Sequence, residues 1–581
     1  MRYSTEMFGR RRTNRVKEIA PEDIFLDSSN IPEYVQGQFE GRVERAIATR
    51  TLLSIGIFFI AVIALFGYRA FTLQVAHGDT YADISRNNTL SRHVLFATRG
   101  LIFDRRGEEI AWNEAQIATS TDGAAPSAGT PVSLYALRTY TERAGLAHVL
   151  GFLQYPKADS SGAWWREDFA GVSGVELAYD EFLRGANGSS MLERDALGAI
   201  ERENIVSPPK SGADLYVSID AELQSALYTY LSTHAERMRF QGGAAVIMDV
   251  RTGELLALTS FPEYDNQAFT DGRTDVIRAT SGEARSPQLN RAVAGLYTPG
   301  SIVKPMFAIA ALNEGIITPE KEILSTGAIT LPNPYDPTRP SIFRDWTVHG
   351  WVNMREAIAV SSDEYFYTIG GGYGGQKGLG IAKIDEYAKR FGLAEPTGIA
   401  LPGEAKGVIP TPEWKAQVFG PDDPWRIGNT YHTSIGQYGF QITPLQAVRY
   451  IAAIGNGGKL LRPQLIASST PEFTELGIVD EYLAVARDGM RLAVTSTRSD
   501  ATVKALNIGG IEIAAKTGTA QLGAHNESMN SWSVGYWPAS DPKYAYAVVL
   551  EKAPAGTLSG ASPALVPFFY WLMEHRPEYI H

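Results

Sequence analysis

The sequence contains no cysteine in its 581 residues, and this absence excludes disulfide bonds, thiol catalysis and cysteine-ligated metal sites. A chain without thiols suits a compartment in which a free thiol would be oxidised. Basic residues are also outnumbered: 53 lysines and arginines face 64 acidic residues, for a net charge of -11. Because phosphate binding needs a basic face, this balance argues against nucleic acid as a partner.

One segment lacks charge altogether. Thr51–Tyr68 is an uncharged run of 18 mostly apolar residues, long enough for a helix to span about the hydrocarbon core of a bilayer. A buried core helix is usually shorter and carries a polar stripe. A cleaved signal peptide would not follow so long a preceding segment. The sequence therefore predicts one transmembrane helix over residues 51–70.

The charges before this run predict its orientation. Basic residues flanking a membrane helix stay on the cytoplasmic side, and they are frequent here before the run, at Arg10, Arg11, Arg12, Arg15, Lys17, Arg42, Arg45 and Arg50. Residues 1–50 also show no sustained apolar period, which predicts a flexible cytoplasmic tail. The remainder of the chain is then expected outside the cell membrane.

The sequence beyond the transmembrane helix predicts a mixed α/β (α+β) fold in two domains. Within residues 71–212, a strand–turn–strand pattern near Leu101–Asn113 and a helical pattern over 171–188 predict a first, elongated and β-rich domain. The Ser/Pro-rich stretch Ser207–Gly212 is typical of a domain boundary. The second domain is expected over residues 213–581.

The second domain has strand patterns at both of its ends and helical patterns between them. The strands are predicted at Gly242–Val250, Glu254–Ser260, Ile511–Ala520, Ser531–Trp537 and Tyr544–Glu551. A helix over Ala561–His575 is expected to close the domain, since its apolar residues recur on one face. This arrangement predicts a five-stranded antiparallel sheet flanked by helices.

Three short motifs in the second domain carry the candidate chemistry. They are Ser301-x-x-Lys304, Ser361-Ser362-Asp363 and Lys516-Thr517-Gly518-Thr519. Each motif alone is weak, because a serine three residues before a lysine is common on solvated helix faces. Their occurrence together, in one order and each in a suitable local context, is not expected by chance.

The first motif has the context of a nucleophile. The turn Tyr297–Gly300 precedes Ser301, and Pro305 is tolerated only in a first helical turn, so Ser301 is expected at a helix N-terminus. Lys304 then projects from the same face and can take the serine proton if it is neutral. Neutrality requires burial and a nearby second cation, for which Lys516 is the candidate.

The other two motifs complete the site. Ser361 is expected to relay a proton between Lys304 and a leaving amine. Gly518 has no side chain, which would let a substrate backbone approach the strand edge closely. The backbone N–H groups of Ser301 and Thr519 are then expected to form an oxyanion hole.

These residues resemble the motifs of class B penicillin-binding proteins, and within that class the elongation type, penicillin-binding protein 2. The resemblance covers nearly everything from residue 95 onward, including the pedestal motifs of the first domain. It is carried by Arg99–Arg105, Gly174–Gly185, Asn290–Pro305, Thr433–Gln437 and Thr443–Gln446. The fold it implies is a pedestal (dimerisation-type) domain followed by a transpeptidase domain like that of serine β-lactamases.

The resemblance implies D,D-transpeptidation during cell-wall elongation and shape maintenance. Ser301 would attack the D-Ala–D-Ala bond of a peptidoglycan stem peptide, release D-alanine and pass the acyl group to an amine of a neighbouring stem. β-Lactam antibiotics would acylate the same serine. The substrate, including its terminal carboxylate, would be bound by Asp363, Lys516, Thr517, Gly518 and Thr519.

The resemblance also implies partners and a location. The region between membrane helix and transpeptidase has no second catalytic pattern, so a separate membrane glycosyltransferase similar to RodA is expected to make the glycan, alongside wall-elongation scaffold proteins. The location would be the bacterial inner (plasma) membrane, with the catalytic domain periplasmic or extracellular. No cofactor is expected.

The sequence departs from the family pattern at two positions. Asp363 stands where most of the superfamily has asparagine, although aspartate also occurs in elongation-type relatives, so its contact is left open. Some of those relatives carry a zinc beside the site. Asp336, Asp345 and His349 could supply ligands, but Ser362 occupies the place of their cysteine and is a poor zinc ligand, so no metal is predicted.

Other conspicuous side chains are interpreted as structural. His432 and His525 are expected in a loop or the substrate groove and not as general bases. Trp414, Trp425 and Trp537 are expected to serve packing more than substrate binding, although Trp537 ends a strand near the groove.

Several alternatives stay open on the sequence. A division-type transpeptidase or a D,D-carboxypeptidase would carry the same motifs. A β-lactam-hydrolysing or sensing protein would also share them, but deacylation needs a base beside the acyl ester, and the pedestal motifs argue against it. A non-catalytic scaffold of the wall machinery would have no use for a complete set of Ser301, Lys304 and Lys516.

Overall fold

The structure, a computed structural model, describes residues 48–81, 90–115, 135–160, 163–194, 200–333, 336, 338–466, 470–523 and 525–580. The chain divides into two units, residues 1–89 and 90–581. In the first unit a helix runs over Thr49–Phe71 and continues as a π-helical turn over Thr72–Ala76. It is long and apolar enough to cross a membrane. None of its residues is buried, whereas the residues of a core helix would be. The predicted tail lies, up to residue 47, outside the described residues.

The second unit begins with two small sheets. The hairpin predicted near Leu101–Asn113 is confirmed, because Ile102–Phe103 pairs antiparallel with Glu109–Glu114 across a turn at Gly107. A four-stranded sheet contains, in order, Leu215–Tyr216, Ile102–Phe103, Glu109–Glu114 and Leu137–Tyr140. A three-stranded sheet contains Leu90–Leu95, Gly188–Arg194 and Ile200–Ser207. There are also two isolated strand pairs. Leu153–Gln154 pairs with Ala170–Gly171, and Lys157–Ala158 pairs with Trp164–Arg166.

The helix predicted within 171–188 is observed as two short helices, Gly174–Ala178 and Asp180–Leu183. Tyr179 separates them, because its backbone leaves the helical region (φ -118°, ψ 26°). Glu176 of the first helix is completely buried, and its carboxylate accepts hydrogen bonds from Arg99 Nε at 2.6 Å and Arg138 Nε at 2.8 Å. This charge cluster, Glu176 with Arg99 and Arg138, ties the helix to strand Leu137–Tyr140 and to the segment before strand Ile102–Phe103.

The predicted five-stranded antiparallel sheet is present. Its strands, in spatial order, are Leu255–Phe261, Gly242–Asp249, Tyr544–Pro554, Ser528–Trp537 and Ala514–Leu522. Every residue of Gly242–Asp249 is buried, because both faces of the sheet are covered. Ala245 and Ile247 pack into one core with helices Ala221–Met238 and Ala561–His575. The residues that alternate with them, Ala244, Val246 and Met248, pack into the other core, which also contains Ile302 and Val303 of the first motif.

Helices fill the space between the strands. After Ala221–Met238 they are Asn266–Thr270, Thr274–Ser281, Lys304–Asn313, Met354–Ala359, Asp363–Gly371, Gly380–Arg390, Pro412–Phe419, Ile427–Ser434, Pro444–Gly455, Asp480–Thr495 and Ala561–His575. Short strand pairs are Ile323–Ser325 with Gly350–Val352, Ala328–Leu331 with Ser341–Arg344, and Lys459–Leu461 with Phe473–Glu475. The predicted closing helix has the predicted bounds, Ala561–His575.

Candidate active site

The fold brings the three motifs together at the edge of the five-stranded sheet. Ser301 lies in a 3₁₀ turn, Gly300–Val303, that leads directly into helix Lys304–Asn313 with proline in its first turn. Ser361 and Ser362 precede helix Asp363–Gly371. Lys516–Thr519 lies on the edge strand Ala514–Leu522.

Glycines allow the backbone segments around Ser301 to meet. A Cβ on Gly300, whose φ is +58°, would lie 2.7 Å from the Thr519 carbonyl oxygen. A Cβ on Gly518 would lie 2.5 Å from the Pro299 carbonyl oxygen. A Cβ on Gly436 would lie 2.2 Å from the Gly300 carbonyl oxygen. Gly518 therefore lets the edge strand pack against the turn before Ser301, a reason for this glycine that the sequence did not indicate.

Two buried aromatic side chains, neither of them expected from the sequence, fix the same turn. The indole N–H of Trp532 donates to the Thr298 carbonyl at 3.0 Å. The hydroxyl of Tyr450 donates to the carbonyl of Ile302. Both side chains are completely buried. A tyrosine or tryptophan within an apolar segment is only a weak signal, because its buried polar group needs some partner but does not specify which one.

Ser361 lies between the two lysines of the motifs. The side chains of Lys304 and Lys516 are both completely buried. Lys516 Nζ donates to Ser361 Oγ at 2.8 Å and to the Thr517 carbonyl at 2.9 Å. Lys304 Nζ lies 3.3 Å from the same Oγ and donates to the Ser361 carbonyl at 2.7 Å. The structure thus brings together Lys304, Ser361 and Lys516, and Ser301 lies on the turn directly before Lys304.

Lys516, the second cation expected beside Lys304, has a shifted pKa of its own. Burial, together with the positive charge of Lys304, holds the pKa of Lys516 well below its usual range. Lys304 instead pairs with Asp363, at 2.5 Å between Nζ and Oδ1. Burial raises the pKa of Asp363, and the charge of Lys304 only partly offsets this. Lys516 therefore favours its neutral form.

The backbone of Ser361 is unusual, since its φ is +59° in the left-handed region. A non-glycine residue held there is strained, and such residues persist only where their surroundings fix them. This conformation accompanies the placement of Oγ between Lys304 and Lys516. No sequence signal marks Ser361 for a left-handed backbone.

The residues predicted to bind substrate differ in exposure and in the face of the strand on which they lie. Thr519 is exposed and Thr517 is partly buried, on the face of the edge strand opposite to Lys516 and Gly518. Asp363 contacts Lys304. Gln437, in the segment after helix Ile427–Ser434, donates through Nε2 to the Thr519 carbonyl at 3.3 Å.

The candidate metal ligands come together only in part. His349 Nε2 lies 3.5 Å from Asp345 Oδ1, whereas Asp336 contacts its own neighbours Thr338 and Arg339. Ser362 Oγ donates to Asp345 Oδ2 at 2.8 Å. Among the residues that the structure describes, no group of three or more histidine, cysteine, aspartate or glutamate side chains could hold a metal ion.

The other conspicuous side chains are also placed. His432 packs against Phe343 and Tyr367, and burial lowers its pKa. His525 is exposed in the turn between two strands of the sheet. Trp537 is buried and its indole N–H donates to the Tyr579 carbonyl at 2.7 Å, which confirms the packing role predicted for it.

Trp414 and Trp425 both pack on Tyr438, a residue of the segment that follows helix Ile427–Ser434. The ring centroids are 5.9 Å and 5.7 Å from that of Tyr438. Packing is thus their observed contact, as predicted.

Comparison with protein families identifies the class. The model of the penicillin binding protein transpeptidase domain matches residues 243–574, and that of the penicillin-binding protein dimerisation domain matches residues 126–217. The chain belongs to the penicillin-binding protein transpeptidase family. It is similar to the peptidoglycan D,D-transpeptidase MrdA of Acinetobacter baumannii, at 28% identity over 93% of this chain and 89% of that protein.

Solved structures point to the same subtype. Penicillin-binding protein 2 of Pseudomonas aeruginosa, solved with WCK 5153, is 28% identical, with a TM-score of 0.65 over 84% of this chain and 100% of that chain. Penicillin-binding protein 2 of Helicobacter pylori, solved in complex with MreC, is 26% identical, with a TM-score of 0.67 over 84% of this chain and 99% of that chain. The similarity thus runs to elongation-type enzymes through both domains of the second unit.

Proposed function

We infer that this protein is a serine D,D-transpeptidase that cross-links peptidoglycan stem peptides during cell-wall elongation. Membership of the transpeptidase family supports the reaction class. Similarity to MrdA and to penicillin-binding protein 2 over most of the chain supports the elongation subtype over the division type. Ser301 is proposed as the nucleophile.

One observation carries the mechanism: Ser361 Oγ lies between two fully buried lysines, 3.3 Å from Lys304 and 2.8 Å from Lys516. This geometry forms a continuous proton path. Lys304 passes a proton to Ser361, and Ser361 passes its own hydroxyl proton to Lys516. The lowered pKa of Lys516 favours its neutral form, which can accept that proton.

Proton transfer along this path leaves Lys304 neutral, so that it can act as a base. Lys304 contacts the Ser361 carbonyl, Ser361 Oγ and Asp363, so all three N–H positions of the ammonium are used. Once it has lost one proton it takes the proton of Ser301 as the serine oxygen bonds to the D-Ala–D-Ala carbonyl carbon. The C–N bond then breaks, and D-alanine leaves with a proton returned through Ser361.

The exposed rim of the edge strand is proposed to bind the donor peptide. Thr519 and Thr517 present hydroxyls on the outer face of the strand, and the backbone N–H groups of Ser301 and Thr519 are proposed as the oxyanion hole. Lys516 is buried behind this face, and once it has accepted the proton its positive charge acts on the carboxylate of the donor. β-Lactams would enter the same groove and acylate Ser301.

The remaining assignments extend this proposal. Residues 1–50 are proposed as a cytoplasmic tail, 51–70 as a single-pass anchor in the bacterial inner membrane, 71–212 as the pedestal and 213–581 as the transpeptidase domain. The apolar helix Thr49–Phe71 supports the anchor. A RodA-like glycosyltransferase and wall-elongation scaffold proteins are the proposed partners, and the complex of a relative with MreC supports the second kind.

Two measurements test the function. Purified wild-type protein supplied with pentapeptide-bearing glycan strands and a radiolabelled D-amino acid acceptor is expected to release D-alanine and incorporate the acceptor, and Ser301→Ala is expected to do neither. Depletion of the protein in cells is expected to give round cells. D-Alanine release without acceptor incorporation would identify a carboxypeptidase, and filamentous cells would identify division duty.

A further inference from the structure

A chain of polar contacts runs from a loop near residue 500 to the second motif. Arg498 donates to both oxygens of Asp500, at 3.0 Å and 2.9 Å. Asp500 Oδ2 lies 2.8 Å from His349 Nδ1, and His349 Nε2 faces Asp345 Oδ1 at 3.5 Å. Asp345 Oδ2 accepts from Ser362 Oγ, beside Ser361, at 2.8 Å. We call these five residues the His349 clamp.

The clamp lies where a zinc would be expected from some relatives, and its residues do not fit a metal. Ser362 Oγ donates to Asp345 and accepts from the backbone N–H of Tyr365, and a neutral hydroxyl engaged in this way is a poor zinc ligand. Asp345 Oδ1 accepts from the Trp346 N–H. Its other oxygen accepts from the Glu364 N–H as well as from Ser362.

The charges of these residues are a second reason why a metal ion does not fit here. Two carboxylates, Asp345 and Asp500, face one guanidinium, Arg498, and one imidazole, His349. A protonated His349 brings the sum to zero without any further ion. A metal bound at Nε2 would require the neutral imidazole and would leave excess positive charge next to Arg498.

The clamp is joined to the strained turn that holds Ser361. The indole N–H of Trp346 donates to the Val360 carbonyl at 3.1 Å, from the segment between Asp345 and His349. Thr502, two residues after Asp500, donates through its backbone N–H to the Ala359 carbonyl at 3.3 Å. Both loops that meet at His349 therefore contact the turn in which Ser361 has a left-handed φ.

We propose that His349 is a positioning residue for acylation. By joining Asp345 to Asp500 it holds two loops against the Ala359–Ser362 turn, so that Ser361 Oγ stays between Lys304 and Lys516. This inference rests on the proposed function of the Ser301 site. At this place, where some relatives hold a metal, the chain has an ion cluster in which His349 lies 2.8 Å from Asp500 and 3.5 Å from Asp345.

The test separates binding from acylation with a fluorescent penicillin. Progress curves at several penicillin concentrations give the dissociation constant of the non-covalent complex and the first-order acylation rate, for wild type, His349→Ala and His349→Asn. His349→Ala is expected to lower the acylation rate roughly 10- to 100-fold, as small misplacements of reacting groups do. The dissociation constant should change much less. His349→Asn keeps a side-chain N–H near the position of Nδ1 and should recover most of the rate.

A matched control is His148→Ala. His148 is a histidine buried in pedestal helix Ala147–Leu150, and its Nε2 lies 2.8 Å from the Pro287 carbonyl oxygen. This control should lower the melting temperature and leave the acylation rate as in wild type. If His349→Ala fails to fold, Asp500→Asn, which weakens the same contact, is expected to lower the acylation rate in the same direction.

Three results would overturn the inference. The first is wild-type acylation by His349→Ala, or by Asp500→Asn where that variant stands in. The second is an acylation rate in His349→Ala that falls only in proportion to the amount of folded protein and that is not restored in His349→Asn. The third is one equivalent of zinc in purified wild-type protein, with acylation lost on chelation. Absence of labelling in wild type would instead overturn the proposed function itself, and this inference with it.

Discussion

In the described part of the chain, two buried clusters each combine a carboxylate with two basic side chains, and the clusters differ in what these basic groups can do. In the pedestal, Glu176 lies between Arg99 and Arg138. In the active site, Asp363 pairs with Lys304, and Lys516 lies one serine away. The pedestal cluster holds structure together, and the active-site cluster can move protons.

The pKa of each carboxylate follows from this difference. Burial raises the pKa of Glu176, but Arg138 and Arg99 outweigh it and leave the pKa below its usual value. Burial also raises the pKa of Asp363, and a single contact with Lys304 does not reverse the effect. Guanidinium groups stay protonated and donate in a fixed geometry, whereas a buried amine can lose its proton. Arginine thus makes a permanent cluster, and lysine makes a titratable one.

The largest expected effect comes from giving the active-site cluster a basic group that stays protonated. Lys304→Arg retains the positive charge but cannot release a proton, so we expect the acylation rate by penicillin to fall roughly 10²- to 10⁴-fold, the usual contribution of a general base. Stopped-flow labelling measures this rate. Lys415→Arg is the control, because Lys415 is a buried lysine paired with Asp423 outside the cluster. A Lys304→Arg variant that acylates at the wild-type rate would contradict a proton-transfer role for Lys304.

The pedestal cluster should respond through stability. Glu176→Gln removes the charge that compensates two buried guanidiniums, so the free energy of unfolding should fall by about 3–5 kcal/mol, as when one partner of a buried ion pair is removed. Denaturant unfolding measures the loss. The protein that remains folded should acylate at the wild-type rate. A large change in acylation rate with no loss of stability would show that the two clusters are not separate in function.

The pH dependence of acylation should identify Lys516 as the terminal proton acceptor. The neutral amine is the acceptor, so the wild-type acylation rate should increase with pH until the lowered pKa of Lys516 is passed, by about tenfold per pH unit below that pKa. Lys516→Arg stays protonated and should lose this rise. Acylation rates measured from acidic to alkaline pH test this. A rise that persists in Lys516→Arg would assign the titration to another group.

The smallest expected effect is that of Asp363→Asn, the change matched to Glu176→Gln. An amide oxygen can still accept a hydrogen bond from Lys304, and most of the superfamily has asparagine at this position. We therefore expect the acylation rate to change by less than about tenfold, which is about 1.4 kcal/mol of activation free energy. Parallel unfolding curves should place its stability loss below that of Glu176→Gln. The reverse order would contradict the comparison between the two clusters.

The sequence predicted the parts of this molecule that local patterns determine. The five strands of the sheet, the helix Ala561–His575 and the turn that places Ser301 before a helix all follow from periodicity and from proline and glycine chemistry. The strand positions were right to within a few residues, since a fully buried strand such as Gly242–Asp249 has a continuous apolar run.

The contacts that tune the site could not be predicted, because they join distant parts of the chain. His349 and Asp500 are 151 residues apart in sequence, and no local pattern pairs them. The turn that contains the left-handed Ser361 is contacted by Trp346 and Thr502, which are distant from each other in sequence. The ion pair of Lys304 with Asp363 depends on how two helix starts approach each other, so the sequence indicated the residues but not which lysine has the lowered pKa.

The central claim is that Ser301 is the acylated nucleophile, and intact-protein mass spectrometry after exposure to benzylpenicillin tests it most directly. Wild type should gain the mass of one penicilloyl group, which proteolysis should map to the peptide containing Ser301. Ser301→Ala, folded to the wild-type melting temperature, should gain none. A wild-type protein without an adduct, or an adduct that persists in Ser301→Ala, would contradict the account.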